Sequence, residues 1–245
     1  TKVGCLGPLG QTVERFDTQS HNWKTGIASL PSRRYSHAGV TCAGSIFVCG
    51  GIDENGLAVG SLLKFSTRTR SVTRGPHGGW EELASMKEPR AALAAVSLGN
   101  SICVCGGDSF YGSEEATVTR SVEIFDCPSG EWRHMPDMLR PRTAHGAAVH
   151  MGVVYVCGGH DSKKQGLSTM ECFDLRKGAW EELPSMFLTR IENGLLTAAG
   201  RIYAIGGCDD QKTPLDSIEC FDIERGEWRM LPSMSRARCK PLVCV

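Results

Sequence analysis

The sequence predicts an all-β protein in which four-stranded antiparallel sheets are arranged as the blades of a β-propeller. Three observations favour this fold: regularly spaced tryptophans, Gly-Gly pairs at a fixed distance after them, and short strand patterns with no room for a helix. A sheet of this kind cannot bury both of its faces alone, so copies must stack, and radial stacking produces a propeller. The 245 residues suffice for one large all-β domain.

The internal repeat is the strongest signal. Successive tryptophans are separated by 57, 52, 48 and 48 residues, and the next Gly-Gly pair begins 27, 26, 26 and 26 residues after a tryptophan. An arginine also follows each tryptophan by ten or eleven residues. We call these residues the repeat arginines, and they are Arg34, Arg90, Arg142, Arg190 and Arg238.

The segment from Thr189 to Met234 illustrates one unit. It predicts four strands, at Glu192–Ala199, Arg201–Ile205, Ser217–Asp222 and Glu227–Leu231, the second ending at Gly-Gly and the fourth stopped by proline. The first strands of all units are rich in alanine and glycine, which suits inner strands where blades converge. The large Trp and Phe side chains are expected further out, where neighbouring sheets diverge.

Four complete units are predicted, followed and preceded by partial ones. We expect the two termini to share a fifth, composite blade, because complementary ends close a ring and leave no open sheet edge. The alternative is a ring with one unit missing from the sequence. The predicted units are 32–87, 89–138, 141–187 and 189–236, with 1–30 and 237–245 forming the composite blade.

The twelve cysteines favour a reducing compartment, the cytoplasm, and those at equivalent repeat positions are predicted to be core residues. Cys49, Cys105 and Cys157 occupy one repeat position, which holds Ile205 in the fourth unit, and exchange with isoleucine is typical of a buried apolar side chain. Equivalent positions lie in different blades, and no Cys-x-x-Cys pair occurs. We therefore predict no metal site and no cofactor.

Charge and motifs exclude several other functions. Lys+Arg and Asp+Glu both count 27, so nothing indicates a nucleic-acid or membrane surface. The Gly-Gly pairs fit no phosphate-binding motif, and no nucleophile–base motif is present. We predict that the protein is not an enzyme and has no catalytic residues, with a metal-dependent oxidase or lyase as a remote alternative.

The motifs YVCGG, CFDLRKGAW and MFLTR (Met186–Arg190) resemble the kelch repeat, and the resemblance extends over nearly the whole chain. The units are most like those of BTB-kelch propellers, which usually have six blades. This resemblance implies a protein-interaction module, the substrate-recognition propeller of a cullin-type ubiquitin ligase adaptor that binds peptide segments on one face. An actin-binding or scaffolding kelch protein is the alternative that the resemblance leaves open.

The repeat arginines lie in the loops that join one blade to the next, and two interpretations of them are open. They could hydrogen-bond backbone carbonyls and bridge blades, or they could form a basic rim that binds carboxylates of a partner. The loops between second and third strands are expected on the same face. One of them exposes aromatic residues that could anchor a partner. The candidate partner-binding residues are Arg34, Tyr35, Arg90, Phe110, Tyr111, Arg142, Thr143, His160, Asp161, Arg190 and Arg238.

Overall fold

The fold was obtained as a computed structural model. It describes residues 3–4, 11–25, 28–66, 79–109, 117–241 and 243. The strands within these ranges are β1 (Val3–Gly4), β2 (Glu14–Asp17), β3 (Asn22–Lys24), β4 (Ala38–Cys42), β5 (Ser45–Cys49), β6 (Leu62–Ser66), β7 (Trp80–Leu83), β8 (Ala94–Leu98), β9 (Ser101–Cys105), β10 (Val122–Asp126), β11 (Glu131–Met135), β12 (Gly146–His150), β13 (Val153–Cys157), β14 (Met170–Asp174), β15 (Ala179–Leu183), β16 (Gly194–Ala198), β17 (Arg201–Ile205), β18 (Ile218–Asp222) and β19 (Glu227–Leu231).

The strands form four four-stranded sheets and one three-stranded sheet, all antiparallel and each connected in simple sequence order. The four-stranded sheets are β4 to β7, β8 to β11, β12 to β15 and β16 to β19, and the three-stranded sheet is β1 to β3. The first strands β4, β8, β12 and β16 contact one another in that order. The predicted all-β propeller with four complete four-stranded blades is therefore confirmed.

Small residues in the first strands allow neighbouring blades to approach closely. A Cβ atom added to Gly146 in β12 would lie 2.8 Å from Cβ of Leu195 in β16, well inside van der Waals contact. Residues with larger side chains cannot occupy such positions without moving the adjacent blade. The alanine- and glycine-rich composition of these strands thus follows from their place at the centre of the ring.

The large aromatic residues lie between blades at the periphery, as predicted. Phe173 and Trp180 face each other across β14 and β15 with ring centroids 5.3 Å apart. Trp180 also donates a hydrogen bond from Nε1 to the carbonyl of Pro136 in the preceding blade, at 2.8 Å. Trp132 and Trp228 make the same bond one blade earlier and one blade later. These three tryptophans therefore fill the wedge between two blades and satisfy their polar atom there, whereas Nε1 of the buried Trp80 has no hydrogen-bond partner among the described residues and Trp23 is 54% exposed.

In the fourth unit, the predicted strand bounds differ from the structure in the first and third strands. The second and fourth strands are found at the predicted residues, whereas β16 spans Gly194–Ala198 and β18 begins at Ile218. Glu192 has a φ of 57°, so the chain turns there and cannot yet continue as a strand.

The C-terminal segment is placed like the first strand of another blade. Gly194 faces the side chain of Val243 and the carbonyl of Pro241, just as Gly146 faces Leu195 and Asn193 one blade earlier. The three-stranded sheet at the N-terminus offers the remaining strands of that blade. Residues 5–10, 242, 244 and 245 are outside the described ranges, so the composite fifth blade and the predicted unit boundaries stay predictions.

Across the ranges that the structure covers, no helix has the length and apolar character needed to span a bilayer.

Candidate interaction face

One end of each blade is extended by a small bridge ladder that positions the candidate site. In the third unit Thr143 pairs with His160, which in turn pairs with Gly166, and equivalent triplets occur in the other three complete units. The segments belong to the loop after the repeat arginine, the residues after Gly-Gly, and the loop before the third strand. We call this end of the ring the loop face.

The Gly-Gly pairs connect neighbouring blades through the backbone. Gly159 donates its N–H to the carbonyl of Arg190 in the next blade at 2.7 Å, and the other Gly-Gly pairs make equivalent bonds. Gly158 has a φ of 73°, and a Cβ atom at this position would overlap the same carbonyl oxygen. Both the backbone conformation and the close approach therefore require glycine. The pairs are structural, as the sequence predicts.

The repeat arginines of the four complete units are buried, and their side chains form hydrogen bonds inside the blade that follows. Arg142 is 1% exposed and donates to the carbonyls of Gly158 and Thr169, both at 3.0 Å. Its guanidinium also lies 2.8 Å from a carboxylate oxygen of Glu171, which is itself buried. The structure therefore favours the structural interpretation of these arginines.

The same arrangement recurs in the neighbouring units with nearly the same distances. Arg90 is paired with Glu123 at 2.9 Å, and Arg190 is paired with Glu219 at 3.0 Å. These glutamates also accept hydrogen bonds from backbone N–H groups of the loop before the arginine, including that of Phe187 at 2.7 Å. Each ion pair thus locks one interblade loop onto the third strand of the following blade.

The first unit lacks this acid, since Leu63 stands in the position of the glutamate. Arg34 is held there by neutral oxygens, the carbonyl of Gly50 at 3.3 Å and the hydroxyls of Ser61 and Ser32 at 2.8 and 2.7 Å. Hydrogen bonds from a cation to neutral oxygens are weaker than those to a carboxylate, so these contacts hold the arginine less strongly than the glutamates do in the other units.

Burial corrects the prediction of a basic rim. Arg34, Arg90, Arg142 and Arg190 direct their guanidinium groups into the protein and cannot offer a free fork to a partner carboxylate. Thr143 is also buried, and its hydroxyl donates to Oδ2 of Asp108 at 3.2 Å. These five buried residues are therefore not available for direct contact with a partner.

The other predicted contact residues are distributed differently. Tyr35 is 53% exposed, and Arg238 is also exposed. His160 and Asp161 are half-buried, and Asp161 accepts backbone N–H bonds that shape its own loop. Phe110 and Tyr111 lie outside the described residues, so their role stays a prediction.

Sequence reasoning missed the apolar side chains that the interblade loops expose. Leu139 and Phe187 directly follow the buried methionines Met138 and Met186, and they are 47% and 61% exposed. Leu188 is adjacent and also exposed. The signal was available, because a repeat position next to a constant methionine changes between charged and large apolar residues along the chain.

The cysteines before Gly-Gly are core residues, as predicted. Cys49, Cys105 and Cys157 are fully buried, and burial raises the pKa of the Cys49 and Cys157 thiols to about 12. Cys105 touches Nε2 of His145 at 3.5 Å, but burial raises the pKa of the thiol and lowers that of the imidazole to about 3. The pair is therefore neutral and is not an activated nucleophile with its base.

A ring of backbone hydrogen bonds surrounds the channel at the loop face. From the second unit onward, a residue with a positive φ donates its backbone N–H to a carbonyl of the preceding unit, at 2.7 to 3.0 Å. These bonds run from Ala92 to Ser36, from Ala144 to Ala92, from Glu192 to Ala144 and from Lys240 to Glu192. These residues border a cavity of about 340 Å³ whose wall also contains His37, Leu93, His145, Asn193 and Pro241. The four complete units and the C-terminal segment contribute equivalent residues to this one cavity.

Comparisons with known proteins agree with this architecture. Residues 4–193 match the family model described as the KLHDC2/KLHL20/DRC7 Kelch-repeats domain, and residues 190–235 match the Kelch motif. The chain is 30% identical over 165 residues to Kelch-like protein 34 of Homo sapiens, an alignment that covers 64% of this chain and 24% of the relative.

Two further relatives extend the comparison. Kelch-like protein 35 of Mus musculus is 28% identical over 65% of this chain and 25% of its own length. Beta-scruin of Limulus polyphemus is 30% identical over 64% of this chain and 16% of its own length. The matched part of the chain thus spans a quarter or less of these relatives. Because the first family model covers most of the sequence, the chain belongs to the kelch-repeat family.

Proposed function

We propose that the loop face captures a protein or peptide partner, with the exposed apolar residues of the interblade loops as its anchors. The observation that carries this proposal is the exposure of Leu139, Phe187 and Leu188 on loops whose backbone N–H groups are hydrogen-bonded to buried glutamates. Aromatic anchors near the centre of an interface commonly dominate binding energy, so Phe187 is the principal candidate and the two leucines extend the apolar surface around it.

Rigid support makes these side chains suitable anchors. Glu171 accepts the N–H of Leu139 at 2.6 Å, and Glu219 accepts the N–H groups of Phe187 and Leu188 at 2.7 and 3.2 Å. The loops are therefore ordered before a partner arrives, and less conformational entropy is lost on binding. Tyr35 and Leu57, both 53% exposed, add apolar surface on the same face.

The partner class that this surface fits is a peptide segment with large apolar side chains. Such a segment would cover the exposed leucines and phenylalanine and leave the buried arginines undisturbed. This function needs no catalysis. The free thiols of the ten described cysteines support a reducing compartment such as the cytoplasm.

A peptide-display selection with the immobilised protein tests the proposal. A variant with Leu139→Ser and Phe187→Ser should lose at least about tenfold in affinity for the selected peptides, because two apolar anchors are removed. The matched control is Met151→Ser, since Met151 is 88% exposed but lies in the turn between first and second strands, on the opposite face. Equal binding by the double variant and the control would reject the loop face as the binding surface.

We further propose that the chain is the substrate-recognition part of a longer protein that acts as an adaptor of a cullin-type ubiquitin ligase, and that the partner is its substrate. Co-precipitation of a cullin with that longer protein, dependent on regions beyond the propeller, is the expected result. The alternative is an actin-binding or scaffolding kelch protein. It would instead show co-sedimentation with actin filaments that the anchor variant abolishes and the Met151→Ser control retains.

A further inference from the structure

Three repeat positions meet at every junction between neighbouring blades, beside the mouth of the channel. The earlier unit contributes two of them: the residue two places after its repeat arginine, and the residue directly after its Gly-Gly pair. The later unit contributes the third, the residue directly after its repeat arginine. Between the second and third units these are Ala92, Asp108 and Thr143, and the Thr143 hydroxyl lies 3.2 Å from the Asp108 carboxylate and 3.4 Å from the Ala92 carbonyl.

At the junction between the fourth unit and the C-terminal segment, the same positions hold Glu192, Cys208 and Cys239. One ligand atom of each residue lies within 4.8 Å of the other two. Cys208 is buried next to the carbonyl of Ile191, whereas Cys239 is exposed and approaches the carbonyl of Gly207. Two thiols and one carboxylate therefore converge from two sides of a blade junction.

These are the side chains that bind zinc in proteins. Zn–S distances near 2.3 Å and Zn–O distances near 2.0 Å in a tetrahedral site imply separations of about 3.8 Å between the sulfurs and about 3.5 Å between oxygen and sulfur, so the ligand atoms need to close by about 1.3 Å at most. Three protein ligands leave a fourth position for water or a partner group. We propose that Glu192, Cys208 and Cys239 bind a thiophilic divalent cation of the zinc class and thereby fasten the C-terminal segment to the fourth blade.

A neighbouring cation also contacts the site. Lys240 pairs with Oε1 of Glu192 at 2.9 Å. A carboxylate has two oxygens, so Glu192 can keep this ion pair through one oxygen and bind a metal through the other.

Titration of the reduced, purified protein with Co²⁺ tests this site directly. We expect one equivalent to produce a thiolate-to-metal charge-transfer band together with the visible absorption of tetrahedral cobalt, both removed by added Zn²⁺. Cys239→Ser and Glu192→Gln should each weaken binding more than about 100-fold, beyond the loss of 10–100-fold that outer-shell partners cause.

Matched variants separate this site from other thiols. Cys42 and Cys127 also form a close pair, with their sulfurs 3.8 Å apart, and Cys127→Ser should leave the titration unchanged. Cys239 is exposed, so its replacement should leave thermal unfolding in a chelator unchanged. The site is refuted if reduced wild-type protein gives no charge-transfer band, if the band survives Cys239→Ser, or if Cys127→Ser removes it.

Discussion

Replacement of Arg142 by methionine should destabilise the propeller strongly. The substitution keeps much of the volume but removes the donors to Gly158 and Thr169 and leaves the Glu171 carboxylate buried without its cation. Breaking a buried ion pair from one side costs about 3–5 kcal/mol. For a domain of this size, the melting temperature should fall by about 6–20 °C.

Circular dichroism melts of matched variants measure the effect. Lys177→Met removes a cation from an exposed ion pair with Glu181 that is equally short, 2.8 Å, and such surface pairs contribute only about 0.3–0.5 kcal/mol. Its melting temperature should therefore stay within about 2 °C of wild type. If the Arg142→Met and Lys177→Met variants have the same melting temperature, the buried ion pair does not stabilise the blades as we infer.

The first unit supplies a second, sharper comparison. There Arg34 lies beside Leu63 and uses Ser32 as an additional acceptor. The double variant Glu171→Leu with Arg140→Ser recreates those side chains around Arg142. It should cost less than Arg142→Met by about 1–2 kcal/mol, because the buried cation keeps hydrogen bonds to neutral oxygens. An equal or larger cost would show that the arginine depends on the acid rather than on the carbonyls.

Three more outcomes follow from the geometry. Gly158→Ala should abolish soluble folded protein because its Cβ overlaps a carbonyl, whereas Gly152→Ala, with open space around it, should lower the melting temperature by only a few degrees. His145 has a pKa of about 3 when folded and near 6.5 when unfolded, so its contribution to stability, complete above pH 6.5, should fall by about 1.4 kcal/mol per unit as the pH drops. His37, whose folded pKa is about 4, adds a similar slope, so His145→Asn should remove about half of the pH dependence of denaturant-unfolding free energies measured from pH 6.5 to 5. Iodoacetamide followed by mass spectrometry of the native protein should modify Cys239 rapidly and Cys105 only after denaturation, since only the former is exposed; early labelling of Cys105 would contradict its burial.

Much of the fold was predictable because a repeat tests each assignment several times. A single apolar strand before Gly-Gly is ambiguous, but four such strands at one period define a unit and its orientation. The exchange of Cys157 for Ile205 at equivalent positions identified the cysteines as core residues without any structure. Backbone bonds such as Gly159 to Arg190 could not be foreseen, since they depend on how tightly neighbouring blades approach.

The orientation of the repeat arginines could not be decided from their own spacing. An arginine in a loop is compatible with solvent and with burial, and the decisive evidence lies elsewhere, in the third strands. Glu123, Glu171 and Glu219 stand in strands that the core covers on both faces, and a charged residue there requires a buried partner. A glutamate recurs at this strand position in three of the four complete units, each of which also has a repeat arginine, and this recurrence is the sequence signal that indicates the pair.

The repeat also separates what the blades need from what the loop face offers. Met138 and Met186 fill equivalent buried positions: Met138 packs against the bend at Gly106, and Met186 contacts Cys157, directly before the next Gly-Gly bend. The residue that follows them is exposed and does not have to fill a core position. It is Leu139 or Phe187 in these units but Lys87 in another. Positions that vary around a fixed frame are those at which a propeller can acquire a specific partner. The apolar pair therefore carries the functional proposal better than the arginines that recur in every unit.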